Sequence, residues 1–108
     1  MKALLRIISG TKEKGAIDLE TGSYSIGRDD GVEIKVDSRQ VSRKHAQITI
    51  DKNHVRLVDC DSANGTFVNG KPFTSGPLYE GDRIQIGDIL FEYHTKRQAQ
   101  LTDRKSVV

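Results

Sequence analysis

The chain has 108 residues, 35% hydrophobic and 30% charged, with a formal net charge of +2. This is a globular composition, sized for one domain whose core needs neither disulfides nor a structural metal. So small a positive balance does not amount to the clustered cationic face of a nucleic-acid binder.

Short segments alternate apolar and polar residues with period two, and turn residues separate them at intervals of about eight to twelve positions. This predicts an all-β sandwich or barrel. The first strand is expected over Ala3 to Ile8, and a second, after a polar loop through Thr11 and Gly15, ends near Leu19. Glu20-Thr21-Gly22 turns the chain into a strand carrying Tyr24 and Ile26, which stops at Gly27-Arg28-Asp29-Asp30-Gly31 because glycine and aspartate favour turns. A short strand follows over Glu33 to Val36.

From His45 to Ile50, Ala46, Ile48 and Ile50 share one face while Gln47 and Thr49 share the other, as a half-buried strand requires. Val55 and Leu57 continue the pattern beyond Asp51-Lys52-Asn53, which predicts a hairpin. Asn69-Gly70, between Thr66-Phe67-Val68 and Lys71-Pro72-Phe73, fits a type I′ turn, whose two central residues need positive φ. After Glu80-Gly81-Asp82, a last hairpin pairs Arg83–Ile86 with Ile89–Tyr93 across Gly87-Asp88. The folded unit is expected over residues 1–95, with 96–108 a polar tail or the start of a linker.

The chemistry-bearing residues collect in three interstrand loops: Gly27-Arg28, Ser42-Arg43-Lys44-His45 and Ser62-Ala63-Asn64-Gly65-Thr66. In a sandwich, loops from separate strand pairs gather at one end, so a rigid core can present residues remote in sequence as one site. Taken singly, each is ordinary: Arg28 a solvated arginine, Ser42 a turn serine, Asn64-Gly65 a turn dipeptide, His45 a buried histidine held by loop backbone.

Together, and in this order, the segments SIGR, VSRKHAQI and NGTFVNG closely resemble the forkhead-associated (FHA) domain family, over about residues 3–94. The resemblance implies a two-sheet β-sandwich of about eleven strands, FHA/SMAD-like, with a phosphothreonine-peptide site on the loops at one end. It implies that Arg28 contacts the phosphate, Ser42 hydrogen-bonds it, Arg43 lines its pocket and Asn64 holds the peptide backbone. Gly27, His45 and Gly65 would support the site structurally. The expected partner is a phosphothreonine-containing protein or peptide, with no cofactor and no metal.

The residue types suit that ligand. A threonine phosphate carries about −1.5 to −2 charge at neutral pH and three strong acceptor oxygens, which arginine's fork of donors and a serine hydroxyl can meet. Asparagine donates and accepts at once, as a peptide-backbone clamp must. Two positions depart from the family pattern: Ala63 stands where many relatives carry threonine, and Gln40 where some carry a basic residue. The first removes one potential phosphate donor, and the second weakens any preference for an acidic side chain in the ligand.

Other functions fit less well. Phosphate-independent binding or self-association through a sheet face is the alternative that Ala63 keeps open. Enzymatic catalysis is not expected: the chain has no P-loop or nucleophile elbow, and His45, His54 and His94 lack metal-ligand spacing. The cationic cluster of Arg39, Arg43 and Lys44 has no interleaved aromatics, which argues against nucleic acid. The apolar runs, such as Ala3-Leu4-Leu5, fall far short of the roughly 20 residues that cross a bilayer, so no direct membrane insertion is expected. The stretch cut by Arg6 lacks a secretory core, and Cys60 is the only cysteine, so a reducing, cytoplasmic location is expected. Thr11 and Thr102, if phosphorylated, would be ligands in cis or for a second copy.

Overall fold

A computed structural model describes residues 2–10, 15–52 and 54–96. They form eleven strands: β1 (Lys2–Ser9), β2 (Gly15–Leu19), β3 (Gly22–Gly27), β4 (Ile34–Lys35), β5 (Ala46–Ile50), β6 (Val55–Asp59), β7 (Thr66–Val68), β8 (Lys71–Pro72), β9 (Ser75–Pro77), β10 (Arg83–Ile86) and β11 (Ile89–Lys96). A six-stranded sheet has the order β2-β1-β11-β10-β7-β8, and a five-stranded sheet the order β4-β3-β5-β6-β9. Their pairings are antiparallel except between β3 and β4.

The period-two pattern sets which side chains face the core. Ala3 and Leu5 of β1 are buried while Lys2 and Arg6 are exposed, and β5 buries Ala46, Ile48 and Ile50. Leu57, Ile84, Ile86, Phe91 and Tyr93 join them from facing strands. Each fully buried aliphatic contributes about 1.5–3 kcal/mol relative to an exposed one, so this interior is what holds the loops at fixed positions.

The turns are formed largely as the sequence predicts. Asn69 and Gly70 have φ of 53° and 83°, the type I′ signature. In the two-residue connection Gly87-Asp88 only Gly87 has positive φ, 61°, which matches type II′.

Three strand boundaries differ from expectation. Strand β11 runs on through Lys96, because Leu4, Ala3 and Lys2 of β1 pair with His94, Thr95 and Lys96: a ladder partner decides where a polar strand ends. Strand β9, with Gly76 and Pro77, has no apolar alternation to announce it and exists through pairing with β6. Strand β4 shrinks to two residues alongside β3. The rest of the expected tail, 97–108, including Thr102, and Thr11 in the first loop lie outside the described residues.

The register places Gly10, after β1, and the connections after β3, β4, β6 and β10 at one end of the sandwich. Lys2 and Lys96 pair at the other end. There Glu80 and Glu92 bracket His94, with His94 Nδ1 on Glu80 and Nε2 at 2.7 Å from Glu92, and Glu80 accepts the Thr95 N–H at 2.7 Å.

Hydrogen bonds to the two glutamates hold the His94 imidazole above its ordinary value. Partial burial works to raise Glu80, but the Thr95 amide, His94 and the Thr95 hydroxyl outweigh it and leave the carboxyl lowered. Glu92 is lowered chiefly by its bond to His94. The raised histidine contributes stability fully below 6.5, lost as pH rises through its folded value, while the lowered glutamates contribute above 4.5, lost as pH falls through theirs. The stability difference between wild type and His94→Gln, followed by urea denaturation, should therefore be largest between pH 4.5 and 6.5 and shrink on both sides; it stays small because solvent screens the cluster.

Candidate functional site

At the loop end, close backbone contact comes first. Gly27, the last residue of β3, is buried, and a Cβ there would lie 2.0 Å from the Arg43 carbonyl oxygen. Only glycine lets loop 28–33 approach loop 36–45 so closely. The Arg28 N–H donates to Ser42 O at 3.0 Å, the Asp29 N–H to Arg43 O at 3.1 Å and the Val36 N–H to Gly27 O at 2.7 Å. Arg28 is thereby docked by its backbone against the segment that carries Ser42 and Arg43.

The Arg28 side chain is anchored too. Its Nε–H donates to the Val41 carbonyl at 3.0 Å, which uses one of the guanidinium's five donors and leaves the four on the terminal nitrogens. No ion pair among the described residues involves Arg28, Arg39 or Arg43, all of them exposed. Asp30, in the same loop, is taken by Lys35 at 2.5 Å, and that pairing lowers its carboxyl. The structure thus provides free guanidinium groups beside a docked serine.

His45 fixes the geometry between loops. It is fully buried (0% exposed); Nδ1 accepts the Ser42 N–H at 3.0 Å, and Nε2 lies 2.8 Å from Gly65 O. A carbonyl can only accept and an amide can only donate, so the ring is the neutral Nε2–H tautomer. One imidazole therefore ties loop 36–45 to loop 60–65. Gly65, at φ 84°, lies in the left-handed region, and this turns its carbonyl toward the ring.

The Ser42 hydroxyl oxygen accepts the Ala63 N–H at 3.0 Å. With that lone pair occupied, its own proton remains to be donated elsewhere. Asn64 is exposed; its Nδ2 donates to Gln40 O at 2.8 Å and lies 3.4 Å from Gln40 Oε1. Oδ1 is left to accept from another group, and the second amide hydrogen, on the long contact to Gln40 Oε1, can be given up to a better acceptor. Ser62 spends its hydroxyl proton on Asp59 at 2.5 Å, so it does not replace the donor missing at Ala63.

Asp59, at the end of β6, drew no attention in sequence. Its carboxylate accepts the Ser62 N–H at 3.1 Å, the Ser62 hydroxyl, and the Thr66 hydroxyl at 2.7 Å. Burial works to raise this carboxyl, but these hydrogen bonds prevail and lower it. Asp59 thus shapes loop 60–65, and Asp61 within that loop sits at φ 57°, a conformation aspartate tolerates better than most residues. The available signal was Asp-x-x-Ser, since aspartate commonly binds backbone amides a few residues ahead in turns.

Among the described residues no group of three His, Cys, Asp or Glu side chains could hold a metal ion, and no helix is long and apolar enough to cross a membrane. Cys60 is half-buried with a free thiol.

A two-sheet sandwich whose joined loops present unpaired arginines defines a recognition module. The FHA domain model matches residues 24–87, and this chain belongs to the FHA domain family, whose members are phosphothreonine-peptide-binding modules. The glycogen accumulation regulator GarA of Mycobacterium tuberculosis is 38% identical over 93 residues, 86% of this chain and 57% of GarA. The oxoglutarate dehydrogenase inhibitor of Corynebacterium efficiens is 38% identical over 85 residues, covering 79% of this chain and 60% of the inhibitor. This chain therefore spans under two thirds of the length of these relatives. Among solved structures, Mycobacterium tuberculosis EmbR in complex with a low-affinity phosphopeptide matches with a TM-score of 0.79 and 30% identity, over 86% of this chain and 24% of EmbR.

Gly27→Ala should break the contact between loops, because its Cβ has nowhere to go but into the Arg43 carbonyl. We expect a loss of about 1–3 kcal/mol, as for other overpacked sites, measured by urea denaturation.

Proposed function

We propose that this chain recruits a phosphothreonine-containing protein through Arg28, Ser42, Arg43 and Asn64, and does so by binding rather than catalysis. The observation that carries this is the state of Arg28: Nε is held on the Val41 carbonyl, the terminal nitrogens have no carboxylate partner among the described residues, and the adjacent Ser42 hydroxyl has a proton to give. A preorganised cation with fixed donors recognises a dianion better than a mobile one, because little conformational freedom is lost on binding. Arg43 would add charge at the pocket wall.

Asn64, with Oδ1 open and its second amide hydrogen only weakly held by the Gln40 side chain, would pair with the ligand's own backbone. Gly27, His45 and Gly65 would act through geometry alone. A targeting role inside a larger regulator agrees with the names and lengths of the relatives; the polar stretch after residue 95 would then be a linker, and the protein would act in the cytoplasm. Ligands in cis would require phosphate on Thr11 or Thr102.

Isothermal titration with a phosphothreonine peptide library and its unphosphorylated counterpart tests this reading. Only the phosphorylated form should bind, and Arg28→Ala should weaken it by about 10- to 150-fold, the worth of a charge-assisted hydrogen bond of about 1.5–3 kcal/mol. Equal binding of both forms, or complexes retained by Arg28→Ala, would instead support phosphate-independent association.

The missing hydroxyl at Ala63 gives a gain-of-function test. Ala63→Thr keeps the main-chain bond to Ser42 and adds a donor, so affinity should rise by about 2- to 13-fold, the equivalent of about 0.5–1.5 kcal/mol. The same titration reads it.

A further inference from the structure

The Asn64 side chain is aimed by a main-chain carbonyl, that of Gln40, and the Gln40 carbonyl is itself pressed from behind by the β10–β11 turn. A Cβ on Gly87 would lie 2.7 Å from Gln40 O and 2.9 Å from Val41 Cγ2. That turn is held in place from two further sides. Ser38 donates its hydroxyl to Asp88 Oδ1 at 2.5 Å, and a Cβ on Gly10 would fall 1.9 Å from Asp88 O. A continuous series of contacts therefore runs from the β1–β2 loop through the β10–β11 turn to Gln40 and on to Asn64.

We propose that Gly87 is a positioning residue for peptide binding: by letting the β10–β11 turn lie against Gln40, it sets the carbonyl that orients Asn64. The inference rests on the peptide-clamping role proposed for Asn64. The atoms nearest a Cβ on Gly87 belong to Gln40 and Val41, so its effect passes through that stretch of backbone. The bond from Nδ2 to the Gln40 carbonyl fixes the direction of the amide, and its second hydrogen, on the long 3.4 Å contact to Gln40 Oε1, forms with Oδ1 the donor-acceptor pair offered to the peptide. A clamp held this way loses no rotamer freedom when the peptide arrives.

Two ligands separate positioning of the clamp from damage to the phosphate pocket. Free phosphothreonine uses Arg28 and Ser42, whereas a phosphothreonine peptide uses Asn64 as well. Gly87→Ala should lower peptide affinity by about 2- to 13-fold, the range of one hydrogen bond, lower affinity for free phosphothreonine distinctly less, since only the Val41 contact reaches the Arg28 anchor, and shift the Asn64 side-chain amide resonance. Gly70→Ala is the control: Gly70 also has positive φ, 83°, but a Cβ there meets nothing within 4 Å, so it carries a positive-φ penalty without the contact. It should change neither affinity.

In the wild-type protein, a scalar coupling across the hydrogen bond from the Asn64 side-chain amide to the Gln40 carbonyl should persist when the peptide binds. This measurement serves if Gly87→Ala does not fold. Loss of that coupling on binding, equal peptide affinity for Gly87→Ala and wild type, or parallel losses for peptide and free phosphothreonine would each overturn the inference. If the wild type itself fails to bind the phosphothreonine peptide, the proposed function falls instead.

Discussion

The site depends on one buried imidazole. His45 accepts a hydrogen bond from the Ser42 amide and donates one to the Gly65 carbonyl, so loops separated by some twenty residues of sequence become a single rigid body. Both loops carry polar backbone groups away from water, where an unmet hydrogen bond costs about 1–3 kcal/mol. A neutral histidine is the side chain that can donate and accept at opposite edges of a flat ring. Replacing it with an apolar residue would leave both groups unsatisfied, even if the volume matched.

Around that tie the other contacts fall into two kinds. Gly27, Gly87 and Gly10 allow backbones to touch where any side chain would collide with a carbonyl. Asp59 and Ser42 accept from the Ser62 and Ala63 amides and the Ser62 hydroxyl of loop 60–65, and Asp59 also from the Thr66 hydroxyl at the start of β7. The result is a set of loops with little freedom left, carried at the end of the sandwich away from the paired ends of β1 and β11. An anion reaching the site meets donors already in place.

Much of the fold could be read along the chain because strand burial has a period of two. Ala46, Ile48 and Ile50 announced β5, and Asn69-Gly70 announced its turn, since each signal rests on local stereochemistry. Strands β9 and the last residues of β11 gave no such signal. Gly76 and Pro77 lack side-chain alternation, and His94 and Thr95 are polar; both segments are strands because β6 and β1 lie alongside. Hydrogen-bond partners distant in sequence decided those boundaries.

For the site, the sequence by itself determined the family, the three loops and the residue types, because SIGR, VSRKHAQI and NGTFVNG are contiguous words. The tertiary structure alone decided how those residues are held. It showed that Arg28 is anchored at Val41, that Ser62 is committed to Asp59 and therefore no substitute at Ala63, and that Asn64 leans on Gln40. The reason is physical: a hydrogen bond between loops depends on where two backbones pass in space, and no local pattern of side chains records that distance.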